Sequence, residues 1–311
     1  MRIVFMGTPE FAVPSLEALL DEHEVVAVVT QPDRRSGRGQ KYAASPVKKV
    51  ALAHGVPILQ PESIGSSEAM DQIQSCEADL FVVVAFGQKL PDRLLTMAPY
   101  GCVNVHSSLL PKYRGASPIT AAIVKGETFT GVTTMYLASG WDSGDIILQA
   151  QEPILPRDTA GDLHDRLMIT GARLLSETVR QIASGQAPRI PQDHEAASYA
   201  YKLSKKDSFV DFKEPAAKLD RLIRGMNPWP LAYTYVGEET VKILEAYPRE
   251  AEGALGQGSP GEILALEGQG LVVGCGQGSL LLLKVQRPNA RAISGADFAN
   301  GLRLRIGDFL C

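Results

Sequence analysis

A chain of 311 residues, 45% hydrophobic and 21% charged, has the composition of an ordinary soluble globular protein with room for two domains. Its net charge of -4 argues against indiscriminate nucleic-acid binding but leaves a local basic patch open. Cys76, Cys102, Cys275 and Cys311 form no C-x-x-C, which indicates neither a zinc site nor a disulfide framework.

Met1 leads directly into an apolar run, and no run approaches membrane-spanning length. No targeting segment and no membrane partner are therefore expected, and a cytoplasmic location is. Strands are expected at 2–7 (RIVFMG), 24–30 (EVVAVVT), 79–86 (DLFVVVAF), 101–106 (GCVNVH) and 131–137 (GVTTMYL). Helical patterns lie between them (SLEALLDE, SPVKKVALAHG, SEAMDQIQS), and a long one covers 158–184. Apolar strands alternating with helices imply an α/β, Rossmann-like, mostly parallel sheet, with its ligand crevice beyond the strands' carboxyl ends. The single glycine of MGTPEFA is not G-x-G-x-x-G, so NAD is not expected, and Thr8-Pro9 reads as a turn or helix cap. The first domain is placed at 1–188 and a linker at 189–207. After a helix at 217–226 come AYTYV, VKILEAYP, GEILALEG, GLVVGCG and SLLLLKVQ, short strands with Gly-rich turns. They predict a small OB-like β-barrel domain at 208–311.

The stretch CVNVHSSLLPKYRGASPI (102–119) places two polar residues inside an apolar strand. Alternation sends Asn104 and His106 to one face and Val103 and Val105 to the other. One reading is a core histidine satisfied by a neighbouring carbonyl. The shared face, at a strand end where α/β folds build their sites, favours a functional one. His23, His54, His164 and His194 offer no ligand spacing to His106, so no metal is expected, and the chain has no G-x-S-x-G nucleophile elbow. An amide donor beside an imidazole suits acyl transfer between two bound substrates: the amide stabilises an oxyanion and the imidazole moves a proton. An orienting carboxylate would complete the set. The loop ASGWDSGD offers Asp142 or Asp145, against the plainer reading that both cap turns.

NVHSSLLPKYRGASPI followed by GVTTMYLASGWDSGDIILQ resembles the formyltransferase fold of the 10-formyltetrahydrofolate-dependent family. The opening MRIVFMGTPEFAVPSLEAL and AFGQKLP (85–91) share the resemblance, which covers nearly the whole chain. It implies that Asn104, His106 and Asp142 form the catalytic set and that 10-formyltetrahydrofolate is the co-substrate. It further implies that Ser108, Leu109, Leu110 and Pro111 contact the folate, and that Phe86, Gly87 and Leu90 border the pterin pocket. Departures are Ser107, where Gly or Ala is common, and Ala138, Ser139 and Trp141 in the aspartate loop. Trp141 bears on loop packing more than on chemistry.

Members of this family formylate a purine-pathway amine, a nucleotide amino-sugar or the amino acid on initiator tRNA, and one hydrolyses or oxidises formylfolate. Two stretches point to the tRNA branch. QPDRRSGRGQKYAASPVKK (31–49) holds Arg34, Arg35, Arg38, Lys41, Lys48 and Lys49 around two glycines. A charge run is usually a solvated loop, but at a catalytic mouth a flexible basic loop can follow a phosphate backbone. It is similar to the loop that enters the acceptor end of tRNA in that branch, which implies Arg38 as the key contact, Lys41 as support, and Arg34 and Arg35 beside them. LDRLIRGMNPWPLAYTYV (219–236) is similar to the entry of that branch's C-terminal domain, with Trp229 expected to pack against the barrel. Lys202, Lys205, Lys206, Arg287, Arg291, Arg303 and Arg305 are candidates for a tRNA-facing patch, against an ordinary mixed-charge surface. The expected activity is formyl transfer to the α-amine of methionine on initiator tRNA, by a monomer. The alternatives are a formyltransferase for a nucleotide amino-sugar or other small amine, and a tRNA- or folate-binding module without activity.

Overall fold

A computed structural model describes residues 1–36, 41–249 and 258–311. The chain divides into two compact units. The first comprises Met1–Pro118, Phe129–Pro153 and His164–Ala200; the second comprises Ile119–Thr128, Ile154–Leu163 and Tyr201–Cys311.

The first unit is built on one seven-stranded sheet. Its strands run in the order Ile146–Pro153, Phe129–Tyr136, Cys102–His106, Leu80–Val84, Arg2–Gly7, Glu24–Val29 and Ile58–Leu59. The last five are mutually parallel. Leu80–Val84 is buried along its whole length, which is why it reads as a continuous apolar run rather than an alternating one; Cys102–His106 is equally buried although it carries Asn104 and His106. Phe129–Tyr136 runs antiparallel to Cys102–His106 and to Ile146–Pro153. A short connection of nine residues favours that hairpin arrangement, because a parallel return needs a long crossover. The strand Ile58–Leu59, with two residues, carries too little pattern to be read in advance.

From Arg2–Gly7 the chain moves outward to Glu24–Val29 and later returns on the other side as Leu80–Val84. The strand order therefore reverses between Arg2–Gly7 and Leu80–Val84, and a crevice opens at their carboxyl ends. A Cβ on Gly7 would meet the Phe5 ring and the Val84 carbonyl at 2.7 and 3.0 Å, so this position requires glycine. Thr8 does not cap the next helical turn. Its hydroxyl donates instead to the Phe86 carbonyl at 3.0 Å, tying the ends of the two strands together. Ser45 and Ser66 do cap helices, accepting from the amides of Lys48 and Ala69 at the starts of Pro46–Ala53 and Ser67–Gln74. Apolar residues of these layers, including Met6, Val29, Met70, Ile73, Phe81, Val83, Phe86 and Leu94, form one buried cluster on the sheet.

The second unit holds an antiparallel sheet in the order Ala232–Val236, Glu239–Arg249, Ser279–Gln286, Gly270–Gly274 and Ile263–Glu267, with Ala292–Ser294 added to Ser279–Gln286. Helices Ala216–Gly225 and Gly295–Leu302 supply Leu219, Ile223 and Phe298 to its core. Trp229 does not pack into this core. It is 63% exposed, because the turn through Asn227, Pro228 and Pro230 directs the chain rather than the indole inward. No helix among the described residues is long and apolar enough to cross a membrane.

One buried charge organises the second unit. Asp220 lies 2.9 Å from both Arg157 and Arg224, and these arginines also donate to the carbonyls of Ala246 and Asp158. Removing one member of such a group leaves an unmatched buried charge. Asp220→Ala should cost about 3 kcal/mol, read as a lower urea midpoint with an unchanged slope.

Candidate active site

Asn104 and His106 stand at the carboxyl end of the Cys102–His106 strand. The register sets Asn104 against Met135 and His106 against Thr133 of the antiparallel neighbour. Asn104 is 9% exposed, and its carboxamide has no hydrogen-bond partner among the described residues. A carboxamide with no protein partner at a strand end keeps its donor and acceptor available. His106 is 6% exposed, and its Nε2 lies 2.9 Å from the Tyr113 carbonyl. A carbonyl only accepts, so Nε2 carries the hydrogen in this contact and Nδ1 is the nitrogen left facing Asp142. The carbonyl bond is the one a core histidine would make, but the second nitrogen has a carboxylate before it.

That carboxylate belongs to Asp142, in the loop joining Phe129–Tyr136 to Ile146–Pro153. Its Oδ2 is 3.7 Å from His106 Nδ1, beyond hydrogen-bond length and within reach of an ion pair. The same oxygen accepts the Gly115 amide at 2.7 Å. Asp142 adopts φ +46°, a left-handed conformation that aspartate tolerates better than most residues. Asp145 turns elsewhere, 3.6 Å from Arg189. Spacing left the two aspartates as alternatives, and the loop conformation directs Asp142 to the histidine. Trp141 is 67% exposed, so its bulk meets no packing constraint in the loop.

The turn after the strand is fixed from within. Ser108 Oγ donates to the Lys112 carbonyl at 2.6 Å, and Thr133 Oγ1 donates to the Ser108 carbonyl at 2.7 Å while accepting the Leu110 amide at 3.1 Å. Gln149 donates to the Leu110 carbonyl and to Thr133, each at 2.9 Å. The side chain of Leu110 packs with Met135 and Ile146. Ser108, Leu110 and Phe86 are therefore buried, whereas Leu109 and Pro111 are half-buried and Gly87 is exposed.

Gly87 and Leu90 line a cavity of about 640 Å³ together with Gln31, Arg34, Ile64 and Gln88. None of Asn104, His106 and Asp142 lines it, so this cavity and the polar constellation are separate features of the first unit. Arg34 sits at its edge, in a ribbon pairing Arg34–Ser36 with Lys41–Ala43. Arg38 lies outside the described residues, as do the side chains of Arg35 and Lys41. Lys48 does not join a free basic surface. Its ammonium is 2.7 Å from both Asp33 and Gln60, and it is the main reason the Asp33 carboxyl is held below its ordinary range. Lys49 is exposed. In the second unit, Arg287 is spent on a bidentate pair with Glu239 at 2.8 Å. Lys202, Lys205, Lys206, Arg291, Arg303 and Arg305 are exposed.

Several residues that shape the site give no advance signal. Thr133 and Gln149 look like ordinary strand polars. Arg114 looks like a solvated turn cation, yet it is 3% exposed. Gln192 falls in a segment whose composition reads as a linker. Cys102 begins the strand, but burial pushes its thiol far up, so it offers no thiolate.

Residues 1–179 match the Formyl transferase family and residues 202–303 match the Formyl transferase C-terminal domain. A methionyl-tRNA formyltransferase of Acetivibrio thermocellus is 45% identical over 311 residues, covering 100% of this chain and 99% of that protein. One of Citrifermentans bemidjiense is 44% identical, covering 100% and 96%. Among solved structures, WlaRD, a sugar 3N-formyl transferase solved in the presence of dTDP and 5-N-formyl-THF, superposes with a TM-score of 0.68 at 20% identity. The match covers 94% of this chain and 99% of that one, and shows a shared fold. On these matches the chain belongs to the formyl transferase family, alongside its methionyl-tRNA formyltransferases.

Proposed function

We propose that this protein transfers the formyl group of 10-formyltetrahydrofolate to the α-amine of methionyl-initiator tRNA. The observation that carries the chemistry is the meeting of an unpartnered amide, an imidazole and a carboxylate at one strand end. The choice of acceptor rests on full-length identity of 44–45% to methionyl-tRNA formyltransferases. The bound formyl donor supplies the formyl carbon, leaves as tetrahydrofolate and carries a proton away on its N10. Asn104 donates its amide hydrogen to the formyl oxygen as the amine adds and charge gathers there, stabilisation that is strongest in the transition state. His106 takes the amine's proton on Nδ1, the nitrogen not engaged by Tyr113, and Asp142 stabilises the imidazolium until that proton passes to N10 of the departing tetrahydrofolate. Nothing in this scheme needs a covalent nucleophile.

Folate is held by Ser108, Leu109, Leu110 and Pro111 and by Phe86, Gly87 and Leu90. Because Ser108, Leu110 and Phe86 are buried, they contribute through their backbone, whereas Leu109, Pro111 and Gly87 present surface directly. In this proposal the protein acts as a monomer. The residues 1–188 then act as the catalytic domain and 208–311 as a tRNA-contacting domain. One competition assay tests the acceptor. Labelled formyl donor is offered charged initiator tRNA and a nucleotide amino-sugar together, and label is expected in the tRNA; label in the sugar alone would overturn the reading.

The basic segment at 34–43 contacts the acceptor end of the tRNA, with Arg38 as the main contact and Arg34, Arg35 and Lys41 beside it. A phosphate contact adds binding energy without touching the donor site. Arg38→Ala should raise KM for tRNA or lower kcat with it, leaving donor affinity unchanged. Weakened donor binding with normal tRNA kinetics would instead mark the ribbon as a lid over the folate.

A further inference from the structure

The segment at 189–200 is a brace for the reacting groups. Its backbone meets the aspartate loop first through Ile190, which exchanges two hydrogen bonds with Ile146 at 2.8 and 3.0 Å. Arg189 lies against Asp145 and over the Tyr136 ring, 3.7 Å from its centroid. Gln192 reaches further into the loop, where its Nε2 donates to the carbonyls of Asp142 and Gly144 at 2.9 and 2.7 Å. These bonds hold the residue whose carboxylate faces His106 and the glycine two positions after it.

The same segment also holds the opposite wall. Tyr199–Ala200 pairs in parallel with Arg114–Gly115. Ser198 accepts the Tyr113 amide on its hydroxyl at 2.9 Å and the Arg114 amide on its carbonyl at 2.8 Å. This strip supplies the Tyr113 carbonyl to His106 and the Gly115 amide to Asp142. Gly115 has φ +111°, and a Cβ there would lie 2.7 Å from the Ala200 carbonyl, so the close approach needs glycine. Both groups that orient the histidine and the carboxylate are thus clamped by one stretch of chain.

Arg114 fixes which way Gln192 points. Its guanidinium donates to Gln192 Oε1 at 3.1 and 2.7 Å, and Nη2 also lies 3.2 Å from His194 Nδ1. A guanidinium has no acceptor, so the amide oxygen must turn to Arg114 and the amide nitrogen to the loop carbonyls. We infer that Gln192, held by Arg114, is a positioning residue for Asp142. It sets the carboxylate's distance from His106 by anchoring the carbonyls of Asp142 itself and of Gly144, and so the loop that carries that side chain. The inference rests on the reading of Asp142 as a catalytic group.

Gln192→Glu separates positioning from folding. The carboxylate keeps the size of the amide and the bond to Arg114, with a full charge behind it, but sets an acceptor against the Asp142 and Gly144 carbonyls. The clamp on the loop is lost while its anchor stays. Displacement of a reacting group by about 1 Å costs up to about 100-fold in rate. In Gln192→Glu, kcat is therefore expected to fall by about 10-fold or more, with donor KM within about twofold of the original. Gln192→Met, which keeps the volume and removes every polar bond, should behave alike. Unchanged kcat in Gln192→Glu would overturn the inference, as would a fall in kcat matched by a comparable rise in donor KM alongside a lowered Tm. Asp142→Asn, assayed in parallel, keeps the two readings apart. If it turns over normally, the catalytic reading itself fails; if it is impaired while Gln192→Glu is not, only the positioning role falls.

Discussion

Asn104→Ala is expected to lower kcat by about 10²–10³-fold, the loss usual when one oxyanion donor is removed. Affinity for the formyl donor should stay within about twofold, since the amide's bond is strongest when charge has moved onto the formyl oxygen. The fold should tolerate the change well. The Asn104 carboxamide makes no hydrogen bond to the described residues, so its removal strands no partner. Equilibrium binding of a folate analogue, single-turnover rates and a thermal melt together check the three parts. A large rise in donor Kd with kcat preserved would make Asn104 a ligand-binding residue and not a catalytic one.

Asp142→Ala carries the second large effect, by a different route. It removes the charge 3.7 Å from His106 Nδ1 and also frees the Gly115 amide, which donates to the same carboxylate. The imidazolium formed as the amine loses its proton is then unsupported. Turnover should fall by about 10²–10⁴-fold, the range of a general acid–base contribution. Asp142→Asn keeps a polar acceptor for Gly115 but no charge, so it isolates the electrostatic part. If Asn restores most of the activity lost in Ala, Asp142 serves chiefly to hold the loop. If both are equally inactive, charge beside the imidazole is what the reaction needs.

The face shared by Asn104 and His106 was legible because strand alternation is local and strict, and because a polar pair in an apolar run stands out. The parallel core was legible for the same reason: strands buried on both faces leave continuous Val-rich runs. Spacing alone did not choose between Asp142 and Asp145, since both lie in one irregular loop and a single left-handed residue decides which carboxylate turns inward; only the family resemblance pointed to Asp142. Gln192 and Arg114 were hidden for a different reason. Their role depends on two segments roughly 80 residues apart lying side by side, and neither has a composition that distinguishes it from a surface stretch. Trp229 illustrates the opposite failure. A large aromatic between prolines suggests a packed anchor, but hydrophobicity alone does not say which way a turn faces.

The pairs Lys48–Asp33 and Arg287–Glu239 bear on how binding responds to salt. A cation already matched by a carboxylate displaces few condensed counterions when a phosphate arrives, because its own field is largely cancelled at the outset. The slope of log affinity against log salt therefore reports uncommitted charges rather than all basic residues near the nucleic acid. For tRNA, that slope should be up to about two units shallower than a count including Lys48 and Arg287 would give. Asp33→Asn would release Lys48 from its partner and steepen it, an electrostatic reserve that the wild-type chain keeps folded into the base of its own ribbon.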